Sequence, residues 1–388
     1  MKRVFTVFHN FWFFREKPFA LDMYRIALGM FVLMILLISF PEWQKYYGPN
    51  GIVSLKFINF EFIGTATSLF TLIQTEWFVW LLYFAGLTAS VLLIAGIRAR
   101  LMALYLFMLV ASMMHRNPWS VNGQDQVMVL LLFFAMLAPV GKTLSVPWFI
   151  ERRRMFRNDI TSIWQQPEET MWAKRLGQAV VAIIYFFAGI TKPMHDRTWL
   201  DGSAIYYVTL SDRWFRFPQT GFLHNTIFSA FTTYMSLIIE IGAPFAVWFE
   251  ALRPFAIAGL VLLHIGIMII LAPSVFYFNF VMLVAVMLYL KNQDFKGILR
   301  MLRYRKAVLT VSSEDAELLE RAVRLKTYDI SDAISVKTTA KPGVLTLVNA
   351  AGEPVTAADI LPVLFPVRVF RKLFMTRKVT VVGDAATS

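Results

Sequence analysis

Four ionisable side chains within long apolar runs, where a charge is costly and faces either a cavity or a partner, are candidates for chemistry. Lys192 closes the run Phe187-Ala-Gly-Ile-Thr-Lys192. An amine desolvated at such a position gives up its proton more readily and becomes a usable general base; an amine that snorkels to the interface is only an anchor. Glu240 and His264 lie deeper in two later runs, roughly 20 and 12 Å below the outer surface at a rise of about 1.5 Å per residue. Each reads either as part of a site or as an interhelical hydrogen bond that fixes packing. Arg25, inside the first run, reads as a structural partner to a carboxylate or carbonyl, with Glu240 among the carboxylates it could meet.

Two polar segments complete the inventory. Arg116-Asn117-Pro-Trp-Ser-Val-Asn122-Gly-Gln-Asp125 supplies an arginine, two asparagines and an acid just before an apolar run. These groups suit a pocket, and Asp125 equally suits a helix N-terminus. The second segment, Lys192 to Gly202, carries Trp199 and Asp201. The five histidines (His9, His115, His195, His224 and His264) lack the spacing with a carboxylate that a metal site shows, so no metal is expected. With no cysteine, disulfides, Cys-ligated zinc, iron–sulfur clusters and thiol nucleophiles are excluded together.

The elements that hold these residues are set by hydrophobicity. Of 388 residues 57% are hydrophobic and only 16% charged, with a mean hydropathy of +0.58. A soluble fold keeps about a quarter of its residues charged, so the chain reads as an all-α polytopic membrane protein in contact with the lipid bilayer. Apolar runs of spanning length fall near 21–40, 77–97, 101–114, 125–140, 173–192, 226–248, 254–272 and 276–291, about eight in all. The first lacks a small-residue cleavage site after it and reads as a retained span. The net charge of +13 sits in the gaps between runs, which argues for membrane orientation and against nucleic acid. Lys2, Arg3, Arg15, Lys17, Arg98, Arg100, Lys142, Arg152, Arg153, Arg154, Arg157, Lys174, Arg175 and Arg253 fall on one side; Lys45, Lys56, Arg116, Lys192, Arg197, Arg213 and Arg216 fall on the other. Fourteen against seven puts both termini in the cytoplasm and the two polar segments outside.

After Leu290 the pattern changes. Residues 306–311 and 343–348 read as strands, 314–327 as a helix, and helix signals return from Ala357, with a frayed tail at 384–388. The domains are therefore 1–300, within the membrane, and 305–388, a small soluble α/β domain.

Several motifs in order resemble the horizontally transferred transmembrane (HTTM) family, which is related to the vitamin K-dependent γ-glutamyl carboxylase. They are Arg25-Ile-Ala-Leu-Gly29, Tyr46-Tyr-Gly-Pro-Asn-Gly51, Arg116-Asn-Pro with Asn122-Gly-Gln-Asp125, and Pro139-Val-Gly with Ser145. Tyr185-Phe-Phe-Ala-Gly-Ile-Thr-Lys192 with Trp199-Leu-Asp-Gly202, Glu240-Ile-Gly-Ala-Pro244 and His264 follow. The resemblance covers about residues 15–300 and implies a bacterial inner-membrane enzyme in which Lys192 deprotonates a reduced, vitamin K-like quinone. Oxygen then makes the quinone a strong base, and CO2 adds to a glutamate of a peptide or protein substrate. Gln124 or Asp125 stands where the animal enzyme has a histidine. Bacterial members include a maturation protein for a secreted toxin, which implies the alternative of a non-enzymatic factor for maturation or export of a peptide. The tail resembles a small thioredoxin-like (DCC) domain with Ala316-Glu-Leu-Leu319 in place of its Cys-x-x-Cys, so no disulfide exchange is expected of it.

Overall fold

The computed structural model describes residues 2–54, 57, 68–211, 213–217, 224–295, 307–330, 334–349 and 352. Among these residues the helices and strands are, in chain order, α1 (Lys2–Trp12), β1 (Arg15–Glu16), α2 (Phe19–Ser39), α3 (Trp43–Tyr47), α4 (Glu76–Ala95), α5 (Ala99–Arg116) and α6 (Gly123–Leu137). Then come α7 (Val146–Asn158), β2 (Glu169–Thr170), α8 (Trp172–His195), α9 (Thr198–Asp201), α10 (Ala204–Thr209), α11 (Thr226–Ala246), α12 (Arg253–Ile270) and α13 (Phe276–Val286). The last are β3 (Ala307–Ser312), α14 (Ala316–Tyr328), β4 (Ile334–Thr339) and β5 (Leu345–Asn349).

A helix stands in each apolar run read from the sequence. Among the described residues, five stretches are long and apolar enough to cross a membrane: Phe19–Tyr47, α4, α8, α11 and α12. Their outward faces carry bare apolar side chains, among them Leu81, Phe84, Phe187, Ile238, Phe255 and Leu262. Apolar surface on that scale is stable in lipid and not in water. Leu28, Phe31 and Leu36 of α2 are buried in one core with Leu106 of α5 and Leu131 and Leu132 of α6.

The chain divides into two compact units. The first joins 1–145 with 168–290, and the second joins 146–167 with 291–388. The segment 146–167, expected to belong with the membrane helices, folds instead with the tail. Its reason is apolar: Phe156 and Ile160 share a core with Leu309, Val311, Ala322, Val323 and Ile334. Arg152 is buried there, its guanidinium 4.5 Å above the Trp148 ring and donating to the carbonyls of Lys326 and, at 2.9 Å, Asp329. In this unit β3 is the central strand, parallel to β4 and antiparallel to β5, with α14 as the crossover. The register runs from Ala307 opposite Ile334 to Ser312 opposite Thr339. The helix signals expected from Ala357 and the tail at 384–388 lie outside the described residues.

In the first unit one buried node ties three segments together. Arg25 pairs with Asp22 at 2.8 Å and donates to the carbonyls of Leu93, Ile94 and Leu144. Asp22 in turn accepts from the backbone of Gly141 and Thr143 and from the Thr143 hydroxyl. Gly96, at φ +72°, ends α4 beside this node; a Cβ there would lie 2.3 Å from the Ser145 Cβ, so only glycine fits. Arg25 thus has a carboxylate partner, but it is Asp22, three residues away on its own helix, and not Glu240.

Candidate functional site

Lys192, Glu240 and Trp199 come together. Tyr185, Gly189 and Lys192 lie at i, i+4 and i+7 on one face of α8, and that face meets α11. Gly189 permits the approach: a Cβ there would lie 2.7 Å from Ile241 Cγ1 and 3.1 Å from Glu240 Cβ. One turn further along, Lys192 Nζ sits 2.5 Å from Glu240 Oε2 and 4.6 Å from the centre of the Trp199 ring. The lysine side chain is 30% exposed and the glutamate 10%. Both contacts stabilise the ammonium, through charge and through the ring quadrupole. The pair spans two helices and is mostly shielded from solvent, so a proton passed from the amine to the carboxylate would leave both groups neutral there.

The Trp199 loop is held by its own hydrogen bonds. Asp201 accepts from Ser203 N–H at 2.9 Å and from its hydroxyl at 2.5 Å, and those donors hold its carboxyl below the usual range. Gly202, at φ +83°, packs on the Tyr234 ring, whose hydroxyl donates to the Leu200 carbonyl. Asp201 therefore positions the loop that carries Trp199.

His264 is buried next to this cluster in a relay of three helices. The Asn279 side-chain amide donates to the Val275 carbonyl at 2.8 Å, which leaves its oxygen to accept from His264 Nδ1–H at 2.7 Å. His264 Nε2 is then the acceptor for the Tyr185 hydroxyl, 2.7 Å away. Sequence reasoning had His264 and missed its two partners. Asn279 was visible as the single amide within Phe276-Tyr-Phe-Asn279-Phe, and Tyr185 as the residue two turns before Lys192.

The 116–125 segment does other work. Arg116 is buried and donates to the carbonyls of Gly48 and, at 2.9 Å, Val53, clamping the Tyr46–Gly51 turn. Asn117 is buried, and its carbonyl accepts from the Ser120 backbone and hydroxyl. Asn122 and Asp125 form a capping box at the start of α6, with Asp125 Oδ2 accepting from Asn122 N–H at 2.9 Å. A cavity of about 300 Å³ opens beside them. Ile35, Val110 and Met113 supply apolar lining, while Glu42, Tyr46 and Asp125 supply polar lining. Lys192, Glu240 and His264 do not line it. Apart from Arg25 in its node with Asp22, the polar residues singled out in the sequence therefore form two groups, one around Lys192 and one around the α6 cap. No protein-family model, curated protein or solved structure matches this chain.

Proposed function

We propose that this chain is a carboxylase-like membrane protein whose reactive group is Lys192, acting at the outer face on a reduced quinone and a peptide. The observation that carries the reading is the Lys192–Glu240 pair beneath Trp199, which joins the last turn of α8 to the interior of α11, both long apolar helices. A base at this point needs a place to put its existing proton, and Glu240 is that place. The neutral amine then accepts a hydroxyl proton while the carboxyl holds the other. Tyr185 and His264 stand behind the pair as a second donor and acceptor.

The residues present suit a reduced, vitamin K-like quinone: an amine, a proton-holding carboxylate, an indole face for a flat ring, and a lipid-exposed rim at Met194 and Leu200. When bound, the quinone with O2 supplies the base strength that removes a γ-proton before CO2 adds. Lys192, Glu240 and Trp199 would bind and orient it, and Lys192 would move the first proton.

Eight spans with both termini in the cytoplasm complete the proposal, in a bacterial inner membrane. Two pairings support the count. β1 pairs with β2, so residues 15–16 and 169–170 share a side, with α2, α4, α5 and α6 between them. Segment 146–167 shares a core with 307–334, with α8, α11, α12 and α13 between them. Each interval therefore needs an even number of crossings, and four fits both.

A second reading, a non-enzymatic factor for maturation or export of a peptide, draws on a specific observation. The ammonium is already paired and ring-covered, and the 300 Å³ cavity does not reach it. The two separate with the full chain in nanodiscs, reduced menaquinone, O2, labelled bicarbonate and glutamate-containing peptides. The carboxylase reading expects hydroquinone-dependent label in peptide, abolished by Lys192→Arg, since arginine keeps the ion pair and cannot act as a base near neutral pH. Equal incorporation by Lys192→Arg overturns it. No incorporation by the parent chain, with peptide export intact in Lys192→Arg, selects the factor.

A further inference from the structure

We infer that α1 is an in-plane membrane helix that lies on the bilayer surface and buries an aromatic face at the headgroup boundary of anionic lipids. The sequence pattern places residues 1–17 in the aqueous phase before the first span, yet the helix Lys-Arg-Val-Phe-Thr-Val-Phe-His-Asn-Phe-Trp is two-sided. At about 100° per residue, Val4, Phe5, Val7, Phe8, Phe11 and Trp12 fall within one arc of roughly 160°. Thr6, His9 and Asn10 fall outside it. Val4 is 74% exposed, Phe5 70% and Phe8 58%, so the first unit leaves this face uncovered.

What covers it follows from the far end of the helix. Arg175, at the start of α8, donates to the Phe11 carbonyl at 3.1 Å and stacks over Phe11 and Phe14 at 4.5 and 4.4 Å. The Phe11 ring in turn lies 5.5 Å from Trp248, just past the end of α11. Phe245, Phe249 and Leu252 beside Trp248 are exposed. They belong to the lipid-facing belt at the ends of spanning helices, so the α1 face is continuous with a surface already committed to lipid. Lys2 and Arg3 open the helix and Arg15 and Lys17 follow it, with Glu16 the one acid in residues 1–17. A cluster of this kind at a membrane surface attracts anionic headgroups, and an aromatic face with a basic border is the pattern of an interfacial helix.

The chain has no cysteine, so a single introduced one takes a nitroxide label alone. Full-length Val4→Cys, Thr6→Cys, Phe8→Cys and Asn10→Cys are reconstituted in vesicles of phosphatidylcholine with phosphatidylglycerol. Collision with oxygen and with a nickel chelate is then read by spin resonance. Labels at 4 and 8 should favour oxygen and labels at 6 and 10 nickel, and Phe8→Glu should turn the label at 4 to nickel. Replacing phosphatidylglycerol by phosphatidylcholine should raise nickel access at 4 and 8 several-fold. Uniform nickel access at all four positions would show a helix in water, and exclusion of both reagents at 4 and 8 would show a face covered by protein. Either result overturns the inference, and indifference to phosphatidylglycerol overturns its anionic part.

Discussion

Arg25→Met removes a buried guanidinium while keeping an apolar stem of similar length. The donor loses Asp22 and the carbonyls of Leu93, Ile94 and Leu144, and no water reaches the site to replace it, because Arg25 and Asp22 are both fully buried. Stranding one partner of a buried ion pair costs about 3–5 kcal/mol. Asp22 keeps its bonds from Gly141 and Thr143, which puts the expected loss near the lower bound, about 3 kcal/mol. A change of 1 kcal/mol moves the midpoint of a unit of this size by about 2–4 °C, so the melting midpoint should fall by about 6–12 °C. Size-exclusion of detergent-solubilised protein after graded heating reads this directly. Arg25→Lys should fall between the two, since an ammonium keeps the charge but not the planar fork that reaches three carbonyls. An Arg25→Met protein that melts within about 2 °C of its parent would refute the view that this node joins α2, the end of α4 and the 141–145 turn.

Gly189→Val should push α8 from α11, because its Cβ would sit 2.7 Å from Ile241 Cγ1; a cysteine pair placed across the two helices should lose its cross-link, and Gly189→Ala should weaken it less. Arg157 and Arg153 hold the Glu320 carboxyl down to about 2, from an ordinary 4.5, so its stabilisation of the tail unit is complete above about pH 4.5 and is lost as pH falls towards 2. Hydrogen exchange over 307–328 should therefore rise through that window in the parent and change less in Glu320→Gln. Residues 305–388 expressed alone should aggregate, while a fusion carrying 146–167 should be monodisperse, since Phe156 and Ile160 complete the tail's core. Reporters fused at residue 160 and after 300 should be active in the cytoplasm, and those near 120 and 200 inactive, with a cytoplasmic signal at 200 overturning the orientation.

Long apolar runs made the helices of the membrane unit legible, because only a spanning helix satisfies so many consecutive apolar residues. Lys192 and Glu240 were legible for the converse reason, since charges in such runs are rarely idle. Their partnership was not, because pairing across α8 and α11 depends on how far Gly189 lets the helices approach. Asp22 was available as the i−3 partner of Arg25, but attention to distant acids passed over the local one. Arg116 and Asp125 were read as a pocket and a cap together; composition cannot decide between these, and the geometry makes Arg116 a clamp while Asp125 both closes the capping box and lines the cavity beside it. Segment 146–167 was placed in the 1–300 domain because its arginines, read only as a basic gap between apolar runs, mask an apolar face of Trp148, Phe156 and Ile160. The faces of α1 were hidden by its short length, which falls below that of any span.

Lys192 and Glu240 are proposed to form a proton-exchanging pair that receives a reduced quinone. A cryo-electron microscopy structure of the chain in native lipid, with reduced menaquinone added, tests it most directly. The account predicts density for a flat ring against Trp199, with a ring oxygen within hydrogen-bond reach of Lys192 Nζ. Quinone density in the cavity lined by Ile35, Tyr46 and Asp125, with the Lys192–Glu240 pair closed and nothing beside it, would contradict the account.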